Sequence, residues 1–299
     1  MNGATPPSVR IARFRGRSDV DGEVCNGCGM TAETCLARLR IFAKGNLDVR
    51  DSLHSLRVGG ELLWNGINEI VRVRHPGTVV QVLHETMTRS DALLEARGEV
   101  PADLAQRTLD LGAYPAAAQF STALFEARAD AIVLSIQPDV AMTLARHKRD
   151  GYLFHPWDWA SWPEDDRRWL RQNFHPVPLL DADASMRNLE RVVARIRERS
   201  AVPIVLYNVS AIVPGDSTHA YQGLDETLAT RIRRFDLAVI DLSRRIGLSV
   251  VDVDAIVARA GADRVKLDVF HLDAEGCRLV ANQTVRVLED LGVFPATAA

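Results

Sequence analysis

The chain has 299 residues, of which 47% are hydrophobic and 25% charged, and its formal net charge is -3. These are the proportions of a soluble globular protein near the upper length for a single hydrophobic core, and they exclude a strongly basic, nucleic-acid-binding surface as its main business. No apolar run approaches the roughly 20 residues that a membrane helix needs. The first residues, Met1 to Arg17, are polar and Arg-bearing and lack the apolar centre of a signal peptide. The expectation is a cytoplasmic protein that acts on a small molecule, with neither nucleic acid nor membrane as partner and with its oligomeric state left open.

Residues 1–38 read as an N-terminal arm with weak periodicity. They hold three of the four cysteines, Cys25, Cys28 and Cys35. Cys-x-x-Cys with Gly on either side of the second Cys is a turn that lets two thiolates converge on one ion. Closed tetrahedral zinc would need a fourth ligand, for which His54 or a carboxylate is conceivable. An iron–sulfur cluster with an open iron is the other metal reading. Against both stands the plain reading of small buried residues in a reducing compartment.

From residue 39 onward, short β-branched runs alternate with helical patterns. The runs are Arg40–Lys44, Thr78–His84, Asp130–Ile136, Pro203–Val209 and Ser249–Val253. Each is continuous rather than alternating in hydrophobicity, as strands buried on both faces of a parallel sheet are. Met186, Leu189, Val193 and Ile196 share one helix face. Leu224, Leu228, Ile232, Phe235, Val239, Leu242 and Ile246 share another, with Gly247 placed as its C-terminal cap. The pattern predicts a three-layer α/β/α, flavodoxin-like sandwich over 39–299, with a five-stranded parallel sheet in the order 2-1-3-4-5. Ligands bind such sheets beyond the carboxyl ends of the strands.

One stretch breaks the rhythm. Gly151 to Ala184 is rich in Pro, Asp and aromatics, including Trp157, Trp159, Trp162 and Trp169. It reads as an insertion, either a lid over the carboxyl edge or a satellite aromatic core. Trp64-Asn65-Gly66-Ile67-Asn68 precedes the second strand and reads as structural or substrate-facing. His84, His155, His175 and His219 each read more simply as packed or surface residues than as ligands.

The strongest chemical signal follows the fifth strand: Asp268-Val269-Phe270-His271, then Leu272-Asp273-Ala274-Glu275-Gly276. A carboxylate three residues before a loop His can fix its tautomer and stabilise the imidazolium during proton transfer. The plainer reading is a His that caps or packs under the last helix.

Five parallel strands with Asp-x-x-His ahead of the last helix resemble the SGNH/GDSL hydrolase superfamily, and Asp268 to Ala281 resembles its last sequence block. The resemblance spans roughly Leu39 to Leu291. It implies an esterase, lipase, deacetylase or acyltransferase, with Asp268 and His271 as acid and base of a catalytic triad that needs no cofactor. The family's first block, Gly-Asp-Ser, falls here on Gly45-Asn46-Leu47, so Leu47 stands at the nucleophile's position. An Asp-Ser-Leu tripeptide follows at Asp51 to Leu53, which makes Ser52 the candidate nucleophile through an altered loop. The loop after the second strand, Glu85 to Asp91, lacks the family's oxyanion Gly. After the third strand, Gln137 stands near the family's Asn as a candidate amide donor. Asn46, Asp48, Arg50, Arg89 and Gln137 are thus the substrate or oxyanion candidates. Helix capping by Asn46 or Asp48 is the plain alternative, with Arg50 free to pair with an anion, Asp51 or Glu85. Two functions follow. The first is an SGNH-type hydrolase or acyltransferase working through Ser52, His271 and Asp268. The second is a non-hydrolytic SGNH-like protein that has lost the serine and binds a small ligand or metal.

Overall fold

The computed structural model describes residues 36–212 and 226–294. The chain divides into Met1–Cys35 and Leu36–Ala299. Cys25, Cys28 and Cys35, and with them the metal reading, lie outside the described residues, as do His219 and Leu224.

The central sheet has five strands: β1 (Ala37–Lys44), β2 (Thr78–Glu85), β3 (Ala131–Ser135), β4 (Ile204–Tyr207) and β5 (Ser249–Val251). Their spatial order is β5-β4-β3-β1-β2, and all four pairings are parallel. This is the order 2-1-3-4-5 expected from the alternating pattern. Successive residues explain why the runs are apolar throughout. Ile41 and Ala43, Ala131 and Val133, Val205 and Tyr207 point into one core, while Phe42, Ile132, Leu134, Ile204 and Leu206 point into the other.

Helices close both faces. On the first lie α1 (Leu47–Leu53), α2 (Asn68–Arg74), α6 (Val253–Ala260) and α7 (Ala274–Asp290). On the second lie α3 (Ser90–Glu95), α4 (Ala182–Arg197) and α5 (Leu228–Ile246). Helix α4 buries Met186, Leu189, Val193 and Ile196, and α5 buries Leu228, Ile232, Phe235, Val239 and Leu242. Gly247 ends α5 in the left-handed region at φ 61°, where a side chain would be strained. Asp181, Thr227, Asp252 and Asp273 each cap the following helix through a side-chain oxygen.

Two excursions interrupt the alternation. Between α1 and α2, Ser55–Val58 and Glu61–Asn65 form an antiparallel hairpin. Trp64 is buried there, and Asn68 exchanges two 2.8 Å hydrogen bonds with the Val80 backbone, so the Trp64–Asn68 stretch is structural. The second excursion precedes α4. Leu144–His147, Leu153–Phe154 and Phe174–Val177 make a small antiparallel sheet, and helix Glu164–Asn173 packs beside it. Phe154, Trp162, Trp169 and Phe174 form its core together with Leu104, Leu111 and Phe120. The insertion therefore draws on chain well before Gly151, and Ala182 to Ala184 belong to α4 instead. No helix of the described residues is long and apolar enough to cross a membrane.

Candidate active site

The carboxyl ends of β1, β3, β4 and β5 meet in a crevice of about 20 Å³ lined by Asp48, Gln137, Asn208, Val209, Ser210, Val253, Lys266, Val269, Phe270 and Leu272. Each strand contributes within a few residues of its end, as a doubly wound sheet requires.

The Asp268–His271 pair belongs to the loop that forms one wall of this crevice. Asp268 Oδ1 accepts hydrogen bonds from the backbone N–H groups of Phe270 and His271, both at 2.9 Å. Its Oδ2 lies 2.6 Å from His271 Nδ1. Partial burial works to raise the Asp268 carboxyl, but the bonds from the His271 side chain and backbone win and hold it below the ordinary carboxylate range. Nδ1 is engaged by Asp268, and the ring is more than one-third exposed, which leaves the far side of the imidazole to face a substrate.

The loop is tightly tied to α7. Leu267 N–H donates to His271 O and Asp273 N–H to Val265 O, both at 2.9 Å. Asp273 caps α7 by accepting from Gly276 N–H at 2.8 Å. A Cβ at Gly276 would stand 2.7 Å from Val265 O and 3.0 Å from Leu272 Cβ. Glycine is thus what allows α7 to approach the His271 loop so closely.

Ser52 is not brought to the site, which corrects the expectation of a serine nucleophile there. It is wholly buried on the inner face of α1. Its hydroxyl is directed to Asp48 O at 2.9 Å and Val49 O at 3.1 Å, with Tyr207 Oη at 3.5 Å. The loop after β1 is not lengthened, so Ser52 sits more than one turn into the helix and faces the sheet. Leu47 is the first residue of α1.

Asp48, one residue on, is the group that α1 presents to the crevice. Its Oδ2 accepts from Ser135 Oγ, while its Oδ1 is buried with no hydrogen-bond partner. Burial raises the Asp48 carboxyl above its ordinary value, against the Ser135 bond and the nearby backbone of Val49 and Asn46, which pull the other way. Ser135 Oγ also accepts from Gln137 N–H at 3.0 Å. Gln137 reaches the crevice, but its buried unpaired atom is Oε1, an acceptor, where the sequence suggested an amide donor.

The remaining candidates have structural partners. Asn46 precedes α1 without a side-chain cap bond, and its Oδ1 accepts weakly from Met87 N–H at 3.4 Å. Arg50 is half-exposed and pairs with Asp51 at 2.7 Å; together they border an open groove with His54, Arg57 and His84. Arg89 is fully buried, forks onto Asp91 and donates to Pro178 O at 2.7 Å. It clamps the loop after β2 and is not available to a substrate. Ser90 fastens the same loop, giving its N–H and hydroxyl to Asp139 at 2.6 and 2.5 Å.

Several residues at the edge escaped the sequence reading. Lys44, the last residue of β1, is buried, pairs with Glu85 at 2.8 Å and donates to Ala118 O at 3.1 Å, which ties the insertion to the strand ends. Lys266 lines the crevice and donates to Ile212 O at 2.5 Å; burial pulls its amine down to about 8. Ser135 and Asn208 directly follow or end strands, and that position was the signal that could have found them. His84 bonds Gly45 O at 3.0 Å and is held neutral by burial, its pKa lowered to about 4. His155 is buried in the insertion against Thr143 O at 2.7 Å. Among the described residues no three His, Cys, Asp or Glu side chains converge on a point that could hold a metal.

No protein-family model matches the sequence, and no curated protein matches it either. Solved structures do match. A member of the lipolytic protein G-D-S-L family from Veillonella parvula is 10% identical with a TM-score of 0.44, over 85% of this chain and 98% of its own. An acetyl xylan esterase is 11% identical with a TM-score of 0.47, over 84% of this chain and 100% of its own. Structures described as GDSL-like or SGNH hydrolases are among the matches. A third, an alpha/beta hydrolase enzyme from the metagenome of Lake Arreo, is 14% identical with a TM-score of 0.47, over 88% of this chain and 99% of its own. In this chain's own geometry the Asp268–His271 pair is formed, and Leu47 opens α1.

Proposed function

We propose that this protein is a hydrolase of ester or acyl groups in which a water molecule, rather than a serine hydroxyl, attacks the acyl carbon. His271, oriented by Asp268, gives a proton to the leaving group as the tetrahedral intermediate collapses and is reprotonated from solvent. The observation that carries this reading is the Asp268–His271 contact of 2.6 Å, in a loop whose preceding residues, Val269 and Phe270, wall the strand-end crevice. A general acid needs a ring held in one orientation with its far nitrogen open, and the contact with Asp268 supplies the first while the exposed far side supplies the second. The burial of Ser52 speaks against an acyl-serine formed on that residue. The crevice has room for a water-sized nucleophile, so the substrate, acyl group included, lies at its mouth. A bound alcohol in place of water would make the same site an acyltransferase.

The test is hydrolysis of a series of short-chain alkyl acetates, whose alkoxide leaving groups need a proton, by the wild type and by His271→Ala, monitored as acid release. Turnover by the wild type and a fall of about 10²-fold or more in the variant, at unchanged circular dichroism, are the expected results. Equal turnover in the two proteins overturns the proposal. Absence of turnover across the series favours the non-hydrolytic reading, in which the crevice only binds.

A further inference from the structure

Two acceptor atoms in the crevice stand unused. Asp48 Oδ1 and Gln137 Oε1 are both buried and lack any hydrogen-bond partner, although both residues line the same small space. A buried polar atom left unpaired carries a penalty of about 1–3 kcal/mol, so two in one place call for a donor. The space is about 20 Å³, enough for one water-sized molecule. Water is the donor that fits: it has two hydrogens for the two acceptors, and its oxygen lone pairs remain turned away from both.

We propose that Asp48 and Gln137 hold the attacking water and that Asp48 is the base that takes its proton. The inference rests on the reading above and names the residue that activates the nucleophile. In the step, the water oxygen bonds to the acyl carbon as the carbonyl π bond breaks, and the water proton passes to Asp48 Oδ1. When the intermediate collapses, the bond to the leaving oxygen breaks and His271 supplies the proton that oxygen takes up. Asp48 then loses its proton to solvent, so atoms and charge balance. Ser135, whose hydroxyl bonds the other carboxylate oxygen, is a positioning residue. It fixes which oxygen faces the water and favours the ionised form that a base requires.

The experiment compares Asp48→Asn, Ser135→Ala and His271→Ala with the wild type, in turnover of the alkyl ester that the wild type hydrolyses best and in thermal unfolding. Asp48→Asn keeps the shape and removes the base. It is expected to lose at least 10²-fold in turnover while its Tm stays level or rises, because a buried carboxyl is replaced by a neutral amide whose oxygen can still accept from Ser135. A Tm that falls together with activity would mark Asp48 as a structural residue and overturn the inference. Ser135→Ala supplies a readout that a structural role would not move. Without the Ser135 bond the Asp48 carboxyl rises further, so the acid limb of kcat/KM is expected to shift to higher pH. The groups around Asp48 that can titrate are Asp51 on α1, Cys277 on α7, Tyr207 on β4, Tyr114 of the insertion and Lys266 across the crevice. An unmoved acid limb overturns the assignment. Full activity in Asp48→Asn beside loss in His271→Ala rejects this inference alone, whereas full activity in His271→Ala rejects the reading it rests on.

Discussion

Ser52 directs its hydroxyl to the backbone carbonyl of Asp48, one helical turn earlier, at 2.9 Å. The one hydroxyl of α1 is thereby used inside the helix, and the carboxylate of Asp48 is what the helix offers to the strand ends. This pairing separates the Asp-Ser-Leu tripeptide from the residue that lines the crevice.

Ser52→Ala should therefore be nearly silent in catalysis. Turnover is expected to stay within about threefold of the wild type, a span too small for the loss of a nucleophile. Stability should fall by about 1 kcal/mol or less, the net worth of a typical intramolecular hydrogen bond. Tyr207 keeps its 2.6 Å contact with Thr284 in either case. Urea unfolding and an ester assay on the same preparation check both numbers.

Gly276→Ala tests whether the approach of α7 to the His271 loop matters. The new methyl would meet the Val265 carbonyl oxygen, a backbone atom that cannot swing aside. The loop or the helix start must shift, at a cost of about 1–3 kcal/mol as for other overpacked sites. Because the same loop carries His271, turnover should fall along with stability. An alanine variant that keeps both would show that the close packing is incidental.

Asp236 governs a pH dependence of stability. Burial pushes its carboxyl up to about 8, opposed by the bond from Val209 N–H and assisted by Asp254 and Asp252 nearby. A folded-state value above the unfolded one means that folding favours the protonated form. The stabilisation this group contributes is therefore complete below the unfolded value near 4 and is lost as pH rises through about 8. Stability should decline between pH 5 and 8 for this group, roughly the span between the two values. Asp236→Asn should remove that part of the slope and stabilise the protein at pH 8. Denaturation midpoints at several pH values measure it; a slope identical in the two proteins contradicts the assignment.

The sheet was legible in the sequence because its central strands are buried on both faces, so every residue of Ala131–Ser135 or Ile204–Tyr207 had to be apolar or close-packed. The same holds for α4 and α5, whose one-sided burial imposes a helical period. The Asp268–His271 pair could be read because both partners lie in one short loop and its spacing is local. The first-block site could not. Whether Ser52 or Asp48 faces the crevice depends on where α1 begins and how it is rotated against β3, and a shift of one residue turns a side chain by about 100°. The role of Arg89 was misread for a related reason. A lone Arg in a loop looks free until the long-range contact with Pro178 O closes on it. The hairpin at residues 55–65 and the full extent of the insertion were missed because their cores are small and built from distant segments, which leaves no long period to detect.

The central claim is that water attacks the acyl carbon directly and no acyl-enzyme forms. It is tested by intact-protein mass spectrometry on wild-type enzyme quenched with acid during turnover of a p-nitrophenyl ester. The account predicts a single species at the unmodified mass, with no burst of p-nitrophenol equal to the enzyme concentration. A species heavier by one acyl group, mapped by peptide analysis to Ser52, to Asp48 or to any serine of the crevice, would contradict it.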